Sequence, residues 1–313
     1  LPLLPSSPSA RVSVAVVGAG RLGTALALAL ASCGYELRAV VARRVAHARR
    51  AAALAGVPHA LALDSAQLEL LPPTRLLFIT TPDDAVAETA ARLAALSPTP
   101  TRGRVVLHTS GALSSEVLAP LRERGFRVGS MHPLAPVSEP LSGAERLRGA
   151  FFCVEGERAA TAAARRVVRD LGGQSFSVRA TDKALYHAAA VMTSGHTVAL
   201  FDTAARLLVR CGLAERRARE VLLPLLRGTL ENLSARTPAR ALTGTFARAD
   251  VETVRKHLAA LVADGDSSAL MLYALLGDAS LRLAAQRGDA DPTDLKEIAR
   301  ALGEAFAEKG KRG

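Results

Sequence analysis

The sequence predicts an α/β protein in two parts: a doubly wound, mostly parallel sheet domain over residues 11–180, then an all-helical domain over 181–310. Three observations predict this. Short apolar, β-branched runs alternate with helical segments through the first half, the pattern of βαβ crossover units. A glycine-rich hexapeptide, GAGRLG at 18–23, lies directly between the first apolar run and the first helical one. After Ala180 the strand signals stop, and Ala/Leu-rich stretches with helical periodicity run almost to the end.

Taken in order, residues 1–10 (LPLLPSSPSA) carry no positive charge, are too short for a secretory leader, and read as a disordered tail. Strands are expected at 11–17, 37–41, 76–80, 105–108, 128–131, 150–154 and 175–178, each a short Val/Leu/Ile/Phe-rich run. Helices are expected between them at 24–32, 43–55, 85–96, 114–124 and 158–171, with a loop at 98–103 and a long loop at 134–149. The second half reads as helices over 182–211, 214–234, 250–262, 267–287 and 292–309, separated by turn signals such as Thr237-Pro238 and Thr243-Gly244.

The 313 residues carry a net charge of +11, with 35 arginines against five lysines. The arginines are dispersed among acids and alanines, without the clustered basic stripe of a nucleic-acid surface. Affinity for an anionic cofactor is the simpler use of such a charge. No apolar run reaches the ~18 residues of a membrane span. Cys33, Cys153 and Cys211 are scattered without ligand spacing, which fits a reduced, cytoplasmic protein lacking structural disulfides and metal.

The glycine loop is the strongest local signal. Gly18 allows a tight turn, Gly20 allows close backbone approach to a pyrophosphate, and Gly23 allows the helix to pack on the strand; Arg21 and Leu22 supply helix N-terminal amides between them. This is the dinucleotide site of a Rossmann βαβ unit. At the end of the second strand an NAD site usually carries an acid for the ribose 2′-hydroxyl. Here stand Arg43 and Arg44, which would hold a 2′-phosphate by charge-assisted bonds, so NADP is expected. Open α/β sheets bind ligands at the carboxyl ends of their strands. Thr81, Pro82 and Asp83 follow one strand and are expected beside the nicotinamide ribose; Ser110 and Gly111 follow the next, nearer the reacting end. For a single hydroxyl there, helix capping is the competing role.

Asp182 opens a helix on which Lys183 and His187, four residues apart, share one face. A continuous helix would bring Ser194 within about 20° of Lys183 and turn His196 away. A cation and an imidazole on an Ala/Val/Leu helix suit proton transfer to a carbonyl or imine, or capture of a carboxylate. The structural alternative is a solvated Lys183 and a satisfied core histidine. His132, before Pro133, closes a strand just ahead of the long loop and is a third candidate, with a structural turn as its alternative.

Read together, GAGRLGTALA, TTPDDAV, VVLHTSGAL, MHPLAP, DKALYHAAAV, LLPLLRGTLENL and ALTGTFAR resemble the Rossmann-like and DUF2520 domain-containing proteins over roughly residues 11–290. That family is similar to pyrroline-5-carboxylate, deazaflavin-dependent NADP and ketopantoate reductases. The resemblance implies an NADP-binding Rossmann domain, an all-α C-terminal domain like that of 6-phosphogluconate dehydrogenase, homodimer formation, and NADP-dependent oxidoreduction of a small molecule. Similar reductases place a Lys, with an Asn four residues on, at the start of the first helix after the sheet; Lys183 and His187 occupy that arrangement here. A non-catalytic NADP sensor or scaffold is the alternative reading, and would need no acid on that face.

Overall fold

The computed structural model describes residues 11–97 and 103–310, without side chains beyond 305, so the expected tail at 1–10 and most of the expected loop at 98–103 lie outside the described residues. The chain divides into two compact units, one ending at Ser194 and the other starting at Gly195.

The first unit is built on eight strands: β1 (Ser13–Val17), β2 (Glu36–Ala42), β3 (Leu61–Asp64), β4 (Leu76–Ile79), β5 (Val105–His108), β6 (Arg127–Pro133), β7 (Phe151–Gly156) and β8 (Gln174–Phe176). They form one sheet in the order β3-β2-β1-β4-β5-β6-β7-β8, parallel except where β7 runs antiparallel to β6. The connecting helices are α1 (Arg21–Ser32), α2 (Val45–Leu54), α3 (Asp83–Leu96), α4 (Ala119–Glu123), α5 (Pro140–Leu147) and α6 (Arg158–Asp170). The period of two along β1 explains the double winding. Val14 and Val16 enter the core beneath α1, α2, α5 and α6, whereas Ala15 and Val17 enter the opposite core with Val86 and Leu93 of α3.

Two features depart from the sequence reading. β3 was not anticipated: LALD carries one buried residue, Leu63, and pairs as an edge strand beside β2. The expected loop at 134–149 contains α5, whose Gly143, Ala144 and Leu147 are buried, with Gly143 set close to Ala25 of α1. Because this connection stays at the carboxyl ends of the strands, β7 must return antiparallel, and Cys153 comes to lie opposite His132.

The first unit closes with α7 (Lys183–Thr193), so the division falls after this helix rather than before it. The long helix expected over 182–211 is interrupted here: α7 is capped by Ser194, and α8 (Gly195–Arg210) begins anew in the second unit. The second unit continues with α9 (Glu215–Ala235), α10 (Pro238–Ala241), α11 (Val251–Asp264), α12 (Ser267–Arg287) and α13 (Pro292–Gly310). Asp250 and Asp266 accept from backbone amides at the starts of α11 and α12, and Gly265 and Gly288 end these helices in the left-handed region. Among the described residues, α12 has the length and apolar composition of a membrane span, which the sequence reading did not expect. Its Leu270, Ala274, Leu281 and Ala284 stripe is buried, and Leu270, Ala274 and Leu281 belong to a core shared with Val254, Leu258, Ile298 and Leu302.

Candidate active site

The carboxyl ends of the central strands carry the glycine loop. Gly18 has φ +115°, and a Cβ there would lie 2.6 Å from the Thr80 carbonyl carbon and the Thr81 amide nitrogen. A Cβ on Gly23 would lie 2.0 Å from the Gly18 oxygen, so no side chain fits between α1 and the loop. A Cβ on Gly20 would meet no other part of the chain within 4 Å. These are the three roles expected of a pyrophosphate cradle: turn, close packing, and an open approach to backbone. α1 starts without a side-chain cap and without an acid in its first turn, leaving its amides and its positive dipole end to an anion. Thr80, which sequence reasoning passed over, fixes the loop by donating its hydroxyl to the Gly18 oxygen at 2.7 Å. Its neighbour Thr81 has a buried Oγ1 with no partner, an orphan that a bound polar group would satisfy.

Arg43 and Arg44 follow β2 with exposed side chains, and among the described residues neither joins an ion pair. A cavity of about 580 Å³ beside the loop is lined by Gly20, Arg21, Thr24, His47, Arg50 and Glu139. The residues present therefore fit an anionic dinucleotide: the loop amides and α1 for its phosphates, and the guanidiniums of Arg21, Arg43 and Arg44 for a further one. His47 and Arg50 extend the basic lining from α2; their spacing of three on one helix is visible in the sequence. Pro82 caps α3, and Asp83 in its first turn accepts the Ser110 hydroxyl at 2.8 Å. Ser110 Oγ in turn accepts the amides of Ala112 and Leu113, so this hydroxyl also shapes the turn after β5.

A second cluster lies on α7 and the ends of β5–β7. Lys183 is 1 % exposed and donates to the Ser110 carbonyl and to Ser130 Oγ, both at 3.2 Å. The solvated alternative for this lysine is excluded. Neither acceptor is charged, so burial holds its ammonium below the ordinary lysine range; Glu155 and Asp83 act on it only at longer range. His187, one turn along, lies against Gly111: a Cβ on that glycine would fall 2.1 Å from His187 Nδ1. That nitrogen is buried without a partner, so the satisfied-histidine alternative does not describe it. The His132 ring stands edge-on to His187, with centroids 5.3 Å apart, and its Nδ1 is 2.7 Å from the Tyr186 hydroxyl. Burial, then the charge of Lys183, hold His132 down to about 3, and the same two causes hold the fully buried His108 down to about 4. Near neutral pH both rings are uncharged.

Lys183, His187, His132, Ser110 and Gly111 thus converge. Ser194 does not join them: it caps α7 and is exposed. Sequence reasoning missed Tyr186, Ser130 and Cys153. Tyr186 was within reach, being three residues from Lys183 on the same face. Ser130 and His132 share a face of β6 by the period of two, but Cys153 joins them only through the antiparallel register of β7.

Comparison with known proteins agrees with this architecture. The Rossmann-like domain family matches residues 6–133, and the family described as a domain of unknown function, DUF2520, matches residues 150–280. No curated protein matches the sequence. Among solved structures, the chain is similar to a Bacteroides fragilis protein proposed to be an NADP oxidoreductase, at 22% identity and TM-score 0.65, over 88% of this chain and 98% of that one. It is also similar to the Aspergillus terreus reductive aminase solved with NADPH and ethyl-5-oxohexanoate, at 17% identity and TM-score 0.56, over 95% and 94% of the two chains. A 1-pyrroline-5-carboxylate reductase from Streptococcus pyogenes aligns at 14% identity and TM-score 0.55, over 73% and 82%. At these identities the likeness is one of fold. The two domain families match in order along the chain, a Rossmann-like domain over residues 6–133 followed by a DUF2520 domain over residues 150–280.

Proposed function

We propose that this chain is an NADP(H)-dependent oxidoreductase acting on a small carbonyl or imine compound, with the 2-oxo acids as its best-fitting class. The observation that carries the reading is Lys183: a buried ammonium, bonded to a carbonyl and a hydroxyl, with the rings of His132 and His108 nearby held neutral. A buried cation without a carboxylate partner is stabilised by an incoming anion or by an oxygen on which negative charge develops. NADPH, when bound, supplies the hydride. Lys183 would orient a substrate oxygen and give it a proton, and His187 Nδ1 and His132 would complete its hydrogen bonding. Support for NADP comes from Arg43 and Arg44 and from NADPH in the reductive aminase structure of similar fold.

The test is NADPH oxidation, followed by loss of nicotinamide absorbance, against a panel of 2-oxo acids, ketones and cyclic imines. Turnover that falls by about 10²–10⁴-fold in Lys183→Ala is expected. Tight NADPH binding with no turnover across the panel would favour a non-catalytic sensor instead. We also propose a homodimer. Val198 of α8 and Leu225, Leu230 and Leu233 of α9 leave apolar surface exposed, which a second copy would cover. Light scattering giving a monomer mass would reject it.

A further inference from the structure

We infer that His108, the last residue of β5, is a positioning residue: its ring ties the two ends of the turn after β5 together and so aims the Ser110 carbonyl at Lys183. Both ring nitrogens have backbone partners whose roles are fixed. The Ser110 amide donates to Nδ1 at 3.2 Å, and Nε2 lies 3.2 Å from the Ser114 carbonyl oxygen. A backbone N–H can only donate and a carbonyl can only accept, so Nδ1 carries the lone pair and Nε2 the proton. One uncharged ring thereby spans the turn from Ser110 to Ser114. The flanks of the turn are tied outward by other groups. Ser110 Oγ donates to Asp83 at the start of α3, and the Ser115 amide and hydroxyl donate to Glu155 of β7.

The turn held in this way carries the contacts to Lys183 and His187. The Ser110 carbonyl belongs to the peptide unit directly after the clamped amide, and it is one of two acceptors that bond the Lys183 ammonium. The other, Ser130 Oγ, stands on β6 in register with His108. The next residue, Gly111, leaves the space that the His187 ring occupies. Releasing the Ser110 amide would let this peptide unit rotate, and the buried ammonium would lose an acceptor in surroundings where an unmade bond is costly.

The chemistry explains why a histidine stands here. An Asn or Asp side chain can accept the amide two residues on, but it is too short to reach Ser114 as well. A carboxylate at this position would also pair with Lys183 and cancel the unpaired cation on which the reductase reading rests. The imidazole supplies an acceptor and a donor at opposite ends without a charge. Its surroundings keep it so. The ring is fully buried, with the Lys183 ammonium facing it from α7 and the uncharged His132 from β6. Burial and Lys183 both oppose a second cation and outweigh the bond to Ser114, which favours one.

The test uses the full chain and needs no substrate. Uniform ¹³C and ¹⁵N labelling assigns His108 and Lys183 through their own backbone signals. Two-bond ¹H–¹⁵N correlation spectra from about pH 6 to 8 then read the histidine tautomer, and the side-chain carbon beside the ammonium reads the titration of Lys183. Wild type is expected to show the Nε2–H pattern at His108 throughout. His108→Phe keeps a ring but makes no hydrogen bond, and its Lys183 is expected to titrate at least about one pH unit below wild type. His108→Asn keeps an acceptor for the Ser110 amide, and its Lys183 should return most of the way. An Nδ1–H or imidazolium pattern in wild type overturns the clamp, even if neither variant folds. A folded His108→Phe whose Lys183 titrates as in wild type overturns the positioning role. The link to turnover rests on the reductase reading above: with a substrate from the panel, His108→Phe should turn over about 10- to 100-fold more slowly, with partial recovery in His108→Asn. Wild type that binds no NADPH sinks the reductase reading while both spectroscopic results stand.

Discussion

Gly20→Ala and Gly23→Ala separate cofactor contact from fold. At Gly23 a built Cβ lies 2.0 Å from the Gly18 oxygen and 2.4 Å from Thr80 Oγ1, inside the 3.0 Å that real Cβ atoms keep. The helix must back away from the loop by about 1 Å, and overpacking of this kind costs about 1–3 kcal/mol. For a unit of this size that lowers Tm by about 2–10 °C. At Gly20 the backbone is extended, with φ −77° and ψ −166°, and nothing lies within 4 Å of a built Cβ. Alanine there fits the free protein, and Tm should stay within about 2 °C. In the complex the same methyl would occupy the approach to the pyrophosphate. Losing one charge-assisted amide contact, about 1.5–3 kcal/mol, raises the NADPH Kd by about 10- to 100-fold. Thermal melts and NADPH fluorescence titrations on the two variants read both quantities. A Gly20→Ala protein that binds NADPH like wild type would refute the cradle; one that melts as early as Gly23→Ala would refute the packing argument.

Four further outcomes are expected. Replacing Arg43 and Arg44 together by Ala should weaken NADPH by about 10-fold or more while leaving NADH nearly unchanged, checked by parallel titrations. Gly111→Ala must displace His187, whose Nδ1 would lie 2.1 Å from the new methyl; a loss of about 1–3 kcal/mol in urea unfolding and a shifted His187 resonance are expected. His108 is held down to about 4, whereas the unfolded chain takes up that proton near 6.5, so wild type loses about 3 kcal/mol relative to His108→Gln as pH falls through this window, measured as the gap between their urea midpoints. Lys183 is held below 10.5, so the unfolded chain binds its proton more tightly than the native one; wild type should gain stability relative to Lys183→Met as pH rises toward 10.5.

The parts legible in the sequence were those written in local chemistry. The glycine loop declares itself because each glycine answers to its own neighbourhood of backbone, and the structure shows no room at Gly18 or Gly23. The buried parallel strands are short apolar runs, and α12 was legible to its ends because Asp266 and Gly288 cap it. β3 was not, since an edge strand with one buried residue has almost no hydrophobic signal. Helix geometry put Lys183 and His187 on one face, but their states came from elsewhere. Lys183 can be buried because the Ser110 carbonyl after β5 and the Ser130 hydroxyl on β6 accept its hydrogen bonds, and His187 fits because Gly111 leaves it space.

Sequence alone determined the two-part α/β architecture and the glycine-rich loop between β1 and α1, because both rest on periodicity and on conformational freedom within a few residues. Only the tertiary structure decided the chemistry of the second cluster. Cys153 reaches Tyr186 and His132 through the return of β7, across residues far apart in the chain, and the burial that keeps His132 neutral depends on every element packed around it.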